Sequence, residues 1–174
     1  MSDADDPDPD PRYRKNVGLV VFNAAGRVWL GRRHGQPGPA NWQFPQGGVD
    51  AGETLEMAAR RELREETGMT SVQVLARVPG WISYDFPEHV IRAGRGRGFI
   101  GQAQAWFAFR FEGADREIDI DADAHPEFDA WRWASLDEAL ATVAPFKRAA
   151  YTKVLAEFRA LIPSPLAGEG GAQP

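Results

Sequence analysis

Residues 47–69, GGVDAGETLEMAARRELREETGM, constrain this chain more than any other stretch. A glycine-rich loop runs straight into a helix that must carry both an apolar stripe and a cluster of carboxylates. Gly47, Gly48 and Gly52, with Asp50 among them, signal the loop. Thr54 is placed to cap the helix, and Glu56 falls in the first turn, where the helix dipole favours an anion. From Leu55 to Thr67 most residues are helix formers with no proline, and Gly68 is placed to end the helix. At roughly 100° per residue, Leu55, Ala59 and Leu63 form one apolar stripe. Glu62 and Glu66 project beside Leu55 on its edge, and Glu65 extends the same side.

Like charges at helical spacing cost an exposed helix a few tenths of a kcal/mol per pair. Half-buried against a core they cost far more unless they are neutralised. One reading is a solvated, glutamate-rich helix edge with Arg61 and Arg64 as partners. The glycine loop ahead of the helix favours another, a site for cations. Oxygen-only ligands select hard ions, Mg²⁺ or Mn²⁺, which keep several waters and bridge to substrate phosphates. Metal plus phosphate is the chemistry this pattern points to.

The same stretch is similar to the Nudix box at each defining position, with no departure from the pattern. The resemblance implies an enzyme that hydrolyses a nucleoside diphosphate linked to another group, using divalent metals on a loop-helix-loop. It gives Glu62, Glu65 and Glu66 as metal-binding and catalytic glutamates. It gives Glu53 and Arg61 as a structural pair bracing the loop, Gly47 as the glycine that brings the loop close to the helix, and Gly68 as its last box glycine. Residues 16–22, 32–33, 42–48, 100–102, 106–107, 126–133 and 146–147 extend the likeness to the bacterial RNA 5′-pyrophosphohydrolase subgroup. That subgroup shades into the diadenosine tetraphosphate hydrolases, which share much of the Trp-Gln-x-Pro-Gln-Gly pattern seen at residues 42–47.

Glu127, after Pro126, reads by itself as a surface carboxylate; the resemblance makes it a further metal ligand or base from outside the helix. Arg14, Arg33 and Lys147 match positions that contact 5′ phosphates or nearby nucleotides. Phe146 matches an aromatic position where a base can stack, and equally suits a core residue at a helix start. Gln43 and Gln46 flank Pro45 as sheet-end polar residues or as substrate ligands. Arg92, Arg95 and Arg97, set among Gly94, Gly96 and Gly98, form a mobile basic loop, either solvated or trailing along an RNA backbone through charge. Residues 36–42 make a longer loop than in the best-known RNA-processing members, which is reminiscent of the dinucleotide-hydrolysing relatives.

The net charge of −5 misleads, because residues 1–11 hold five aspartates and three prolines, with Arg and Lys balancing Asp and Glu elsewhere. We expect a disordered acidic tail over residues 1–11, one folded domain over 12–161, and a loose Gly/Pro/Ala-rich tail over 162–174. The chain has no cysteine, which excludes disulfides, a thiol nucleophile and a Cys-based zinc site. No signal pattern or membrane-length apolar run is visible, so a cytoplasmic protein with no membrane partner is the default. A DNA duplex is not an expected partner.

Residues 17–22 and 28–32 read as a strand hairpin around the turn at Asn23 to Gly26, with further strands at 72–78, 99–111 and 130–133. Along residues 102–111, Ala103, Ala105, Phe107, Phe109 and Phe111 alternate with Gln102, Gln104, Trp106, Ala108 and Arg110. Ser135-Leu-Asp-Glu138 is a capping-box pattern opening a short helix. Pro145 punctuates, and residues 146–161 read as a last helix with an apolar side. The fold class is α/β, an α/β/α sandwich around a mixed sheet, as the resemblance implies. The leading function is a metal-dependent RNA pyrophosphohydrolase that turns 5′-triphosphate or 5′-diphosphate ends into monophosphates. An asymmetric dinucleoside tetraphosphate hydrolase is the second reading. A nucleotide- or RNA-binding regulator without turnover is the third, and the complete glutamate set speaks against it.

Overall fold

The computed structural model describes residues 7–36 and 38–161. The start of the acidic tail and the whole C-terminal tail (residues 1–6 and 162–174), with Pro37 of the long loop, lie outside them. In chain order the elements are β1 (Tyr13–Phe22), β2 (Val28–Arg33), β3 (Trp42–Gln43), β4 (Gln46–Gly48), α1 (Leu55–Thr67), β5 (Val72–Arg77), β6 (Ile82–Asp85), α2 (Glu88–Arg92), β7 (Gly101–Phe111), β8 (Phe128–Ala134), α3 (Leu136–Thr142) and α4 (Arg148–Phe158).

The sheet is mixed because its two central strands, β1 and β7, run parallel in register from Tyr13↔Gly101 to Phe22↔Arg110. The other pairings are antiparallel. A central strand must be apolar on both faces, and β7 meets this through its alternation. Ala105, Phe107 and Phe109 join Val17, Leu19 and Val21 against Leu55, Ala58, Ala59 and Leu63 of α1. Trp106 and Ala108 join Val20 and Phe22 against Leu136 and Ala139 of α3 and Tyr151, Val154, Leu155 and Phe158 of α4. Each large apolar side chain fully buried this way contributes about 1.5–3 kcal/mol. The result is the expected helix–sheet–helix sandwich. Gly18 permits it on one face, since a Cβ there would lie 2.5 Å from the Trp106 ring.

Three details differ from the sequence expectation. The β1–β2 hairpin pairs directly only at Phe22↔Val28, because β4 takes the rest of that edge of β1 at Asn16↔Gly48, Val17↔Gly47 and Gly18↔Gln46. The last helix is shorter than residues 146–161. A 3-10 turn over Pro145–Lys147 precedes it, where the Lys147 N–H reaches the Ala144 carbonyl, and a second one, Arg159–Leu161, follows it. Strands β3, β4 and β6 and helix α2 are additions to the expected elements; β6 pairs with β7, and its Ile82 and Tyr84 are buried in the same core as α4. Of the expected acidic tail, residues 7–11 are described: Lys15 pairs with Asp8 at 2.6 Å, and Trp81 Nε1 donates to the Pro7 carbonyl at 3.0 Å. Among the described residues no helix is long and apolar enough to cross a membrane.

Candidate active site

The loop-helix forms as its residues dictate. Thr54 Oγ1 accepts from the Met57 N–H at 3.2 Å, and Gly68 closes the helix in the left-handed region at φ 74°. The strand pairing of β4 with β1 then lays the loop backbone over the helix side. Gly47 is needed there, because a Cβ would fall 1.9 Å from the carboxyl carbon of Glu62.

Behind the loop, Arg61 organises the acidic side chains. Its Nε and Nη2 donate to the two oxygens of Glu53 at 2.6 and 2.9 Å, and Nη2 also reaches the Gly48 carbonyl at 2.9 Å. Nη1 donates to Glu62 at 2.8 Å and to Glu65 at 3.2 Å. The guanidinium, with the Asp50 N–H, holds the Glu53 carboxyl down at about 2.

Glu66 and Glu62, the latter still held by Arg61, line a cleft of about 570 Å³. Burial raises the Glu62 carboxyl, with Arg61 opposing. Burial raises Glu66 further, reinforced by the facing charges of Glu127 and Glu62; the Gln46 backbone N–H, donating at 3.1 Å, pulls the other way. Glu127 arrives from the start of β8, with Arg33 at 3.9 Å.

The opposite charge in the cleft is Lys147, only 4% exposed. Its Nζ donates to Gln43 Oε1 at 3.0 Å and Gln46 Oε1 at 3.4 Å, and lies 6.0 and 5.8 Å from the Tyr84 and Phe146 rings. Burial, with help from Arg33, lowers its pKa to about 7. Arg14 lies over Gly48, where a Cβ would come 2.6 Å from Nη2.

The cleft therefore gathers Glu62, Glu66, Glu127, Arg14, Arg33, Gln43, Gln46, Phe146 and Lys147. Glu65, Glu53 and Arg61 stand outside its lining, around the Arg61 fork, and Gly68 sits at the far end of α1. Gln43 is buried and Phe146 is exposed at the cleft side, its ring centroid 5.8 Å from that of Tyr84. As the side chains lie, no three carboxylates or imidazoles among the described residues share one ligand shell. Glu62 and Glu65 turn to Arg61 instead, as carboxylates do toward the nearest cation.

Sequence reasoning does not single out Tyr84, Asn16 and the polar face of β7 as site residues. Tyr84 Oη donates to Gln102 Oε1 at 2.6 Å, and Gln104 Nε2 donates to Asn16 Oδ1 at 2.8 Å and Gln46 Oε1 at 3.2 Å. Two glutamines, Gln102 and Gln104, alternating with alanines ahead of the aromatic run of β7 are the available signal. Buried amides such as these must find partners, and here they fix the amide of Gln46 beside Lys147. Of the basic loop, Arg95 and Arg97 line the cleft, whereas Arg92 pairs with Glu88.

The NUDIX domain family matches residues 12–155. An RNA pyrophosphohydrolase of Caulobacter vibrioides is 60% identical over 150 residues, covering 86% of this chain and 87% of its own length. An RNA pyrophosphohydrolase of Rhodospirillum rubrum is 47% identical over 154 residues, covering 88% and 92%. Among solved structures, the E. coli dihydroneopterin triphosphate pyrophosphohydrolase has a TM-score of 0.64 at 22% identity, covering 83% of this chain and 98% of that one. A C. elegans Ap4A hydrolase complex has a TM-score of 0.60 at 21% identity, covering 84% and 98%. At such identities the two structures speak for the fold alone.

Proposed function

This chain belongs to the Nudix family, and on that premise we propose that it is an RNA pyrophosphohydrolase. It converts a 5′-triphosphate or 5′-diphosphate RNA end to a 5′-monophosphate, which opens the transcript to decay. The observation that carries the reading is one cleft that sets buried Lys147, with Arg33 and Arg14, against Glu62, Glu66 and Glu127. We place the activity in residues 12–161, with 1–11 and 162–174 as tails.

The family is typically dependent on divalent metal, and the donor set suits a hard cation. Glu62, Glu66 and Glu127 are all-oxygen donors; burial, and after it repulsion from Glu127 and Glu62, raises Glu66, a cost that a cation would relieve. We propose that Glu62, Glu65, Glu66 and Glu127 hold Mg²⁺, or Mn²⁺ in its place. When bound, the cation neutralises phosphate charge and lowers the pKa of a bound water. Lys147, Arg33 and Arg14 grip the phosphate chain and stabilise the negative charge that builds on the departing phosphate. Gln43 and Gln46 aim their carbonyl oxygens at Lys147 and keep its ammonium in place. Phe146 offers its exposed ring to a base. Glu127, more exposed than Glu66, serves as ligand or as acceptor of the water proton. Water adds to phosphorus and gives up a proton, the anhydride P–O bond breaks, pyrophosphate leaves a triphosphate end or phosphate leaves a diphosphate end, and the 5′-monophosphate end remains.

The test is a competition in Mg²⁺ between a short 5′-triphosphorylated RNA and diadenosine tetraphosphate, comparing kcat/KM and products. Faster conversion of the RNA to its 5′-monophosphate is the expected outcome. Faster production of ATP plus AMP would make the chain a dinucleotide hydrolase and turn attention to the loop at residues 36–42.

A further inference from the structure

The turn between α2 and β7 forms part of the cleft wall, yet the proposed reaction gives it no task. Its sequence, RAGRGRG over residues 92–98, reads as a loose basic loop. The structure instead ties it down. The Arg95 N–H reaches the Val90 carbonyl at 3.1 Å, the Arg97 N–H reaches Gly94 at 3.2 Å, and the Phe99 N–H reaches Gly96 at 2.9 Å. Gly96 is buried against Phe86; a Cβ there would lie 2.6 Å from the Phe99 carbonyl and 3.3 Å from the Phe86 ring. Arg95 and Arg97, on either side of it, line the cleft.

Arg97 is held at φ 50°, and among the described residues it is the one non-glycine with positive φ. That region carries a steric cost for any residue with a Cβ, and such outliers gather at functional sites. Gly94 and Gly98, close by, occupy it freely at 69° and 87°. An arginine kept where glycine fits better calls for a reason in the side chain. Folding does not supply one: among the described residues neither Arg95 nor Arg97 has a carboxylate partner, whereas Arg92 is paired with Glu88.

Arg14, Arg33 and Lys147 already serve the terminal phosphates. A free nucleotide ends there, but an RNA continues with one negative charge per nucleotide. Guanidinium groups suit phosphate oxygens and carry no base preference. We propose that Arg95 and Arg97 form a second phosphate-binding step for the RNA backbone downstream of the 5′ end. They make the enzyme favour a polynucleotide over a minimal substrate with the same reacting end. This rests on the RNA reading above.

The test compares a 5′-triphosphorylated hexanucleotide with a 5′-triphosphorylated dinucleotide in Mg²⁺, for wild type, Arg95→Gln/Arg97→Gln and Arg97→Gly. We expect the hexamer-over-dimer ratio of kcat/KM to collapse at least tenfold in the double variant. The salt dependence of log kcat/KM for the hexamer should become shallower by about 0.7 for each phosphate that is no longer neutralised. Arg97→Gly suits the backbone at this position, so it should lose part of the ratio with an unchanged or higher Tm. A purely structural role for Arg97 cannot produce that combination. A ratio unchanged in the double variant overturns the proposal. Binding of the 5′-monophosphate hexanucleotide, which cannot turn over, reads the turn separately. Equal affinity in wild type and double variant overturns the turn assignment, whereas a wild type that processes neither RNA overturns the activity.

Discussion

Glu53 and Glu66 belong to one loop-helix and to the same kind of side chain, but they live under opposite electrostatics. Arg61 clasps Glu53 through two nitrogens, and the carboxyl is held down at about 2. Glu66 lies at the cleft with Glu127 and Glu62 facing it, and burial raises its carboxyl well above the usual range. The first carboxylate is satisfied by an arginine of its own loop-helix; the second accepts one backbone N–H, from Gln46, and faces other carboxylates. The paired side of the helix therefore braces the loop, and the other side is the one that faces the proposed site for a cation and a phosphate chain. The cations divide the same way. Arg61 is engaged by five acceptor oxygens on four residues behind the loop, while Lys147 donates to the amide oxygens of Gln43 and Gln46 and lies near the Tyr84 and Phe146 rings.

Removing the charge on the unpaired side should hit activity and spare the fold. We expect Glu66→Gln to lower kcat by about 10²–10⁴-fold with no loss in Tm, measured by steady-state kinetics and thermal melts; near-normal turnover would sink the role of Glu66. Lys147→Met should cost about 10–100-fold in kcat/KM. It should also raise stability by about 1–3 kcal/mol, because a buried charge without a carboxylate partner is replaced by an apolar chain. A destabilised Lys147→Met would mean that its two amide hydrogen bonds matter more to the fold than its burial costs.

On the paired side the order reverses. Arg61→Met leaves Glu53, Glu62 and Glu65 without their shared cation, and urea denaturation should show a drop of about 1–3 kcal/mol. If the variant unfolds like wild type, the brace is decorative and the comparison fails on that side.

The smallest effect is in the pH dependence of stability without added cation. Glu53, with its lowered pKa, contributes stability that is present above the unfolded value of 4.5 and is lost as pH falls toward about 2. Glu66 has the opposite sign. Its folded pKa is raised, so the unfolded chain gives up that proton first, and stability declines as pH rises from 4.5 toward 7, below the titration of Lys147. In thermal melts, Glu66→Gln should flatten that decline, whereas Glu53→Gln should flatten the acid limb. A decline that persists unchanged in Glu66→Gln would show that its raised pKa is not the source.

Local chemistry makes much of this legible in the sequence. Helix α1 starts at the Thr54 cap and ends at Gly68, and α3 forms behind its Ser135–Glu138 capping box, because these signals act within a few residues. The strands β1, β2, β5, β7 and β8 are visible from apolar runs and alternation. Strands β3 and β4 are not, since segments this short are strands only by virtue of the partner that pairs with them. Phe146 and Lys147 read as the start of a regular helix, and the 3-10 turn after Ala144 instead carries Lys147 into the cleft. Gln102 and Gln104 look like one polar edge of a strand, and no local pattern tells that such an edge will be buried beside a lysine.

The order of residues alone supplies the functional groups and the local geometry that spaces them: glycines where a backbone must come close, glutamates one helical turn apart, an arginine set among them. Helical period and capping act at short range, so they need no tertiary context. Which of those charges are neutralised is settled only in the folded molecule. That depends on the Arg61 fork reaching across the loop, on Glu127 arriving from β8, and on Lys147 being buried among amides from β3, β4 and β7. These groups are distant in the chain and meet only when the sheet closes, and the electrostatic energy of a carboxylate is set by what it meets there.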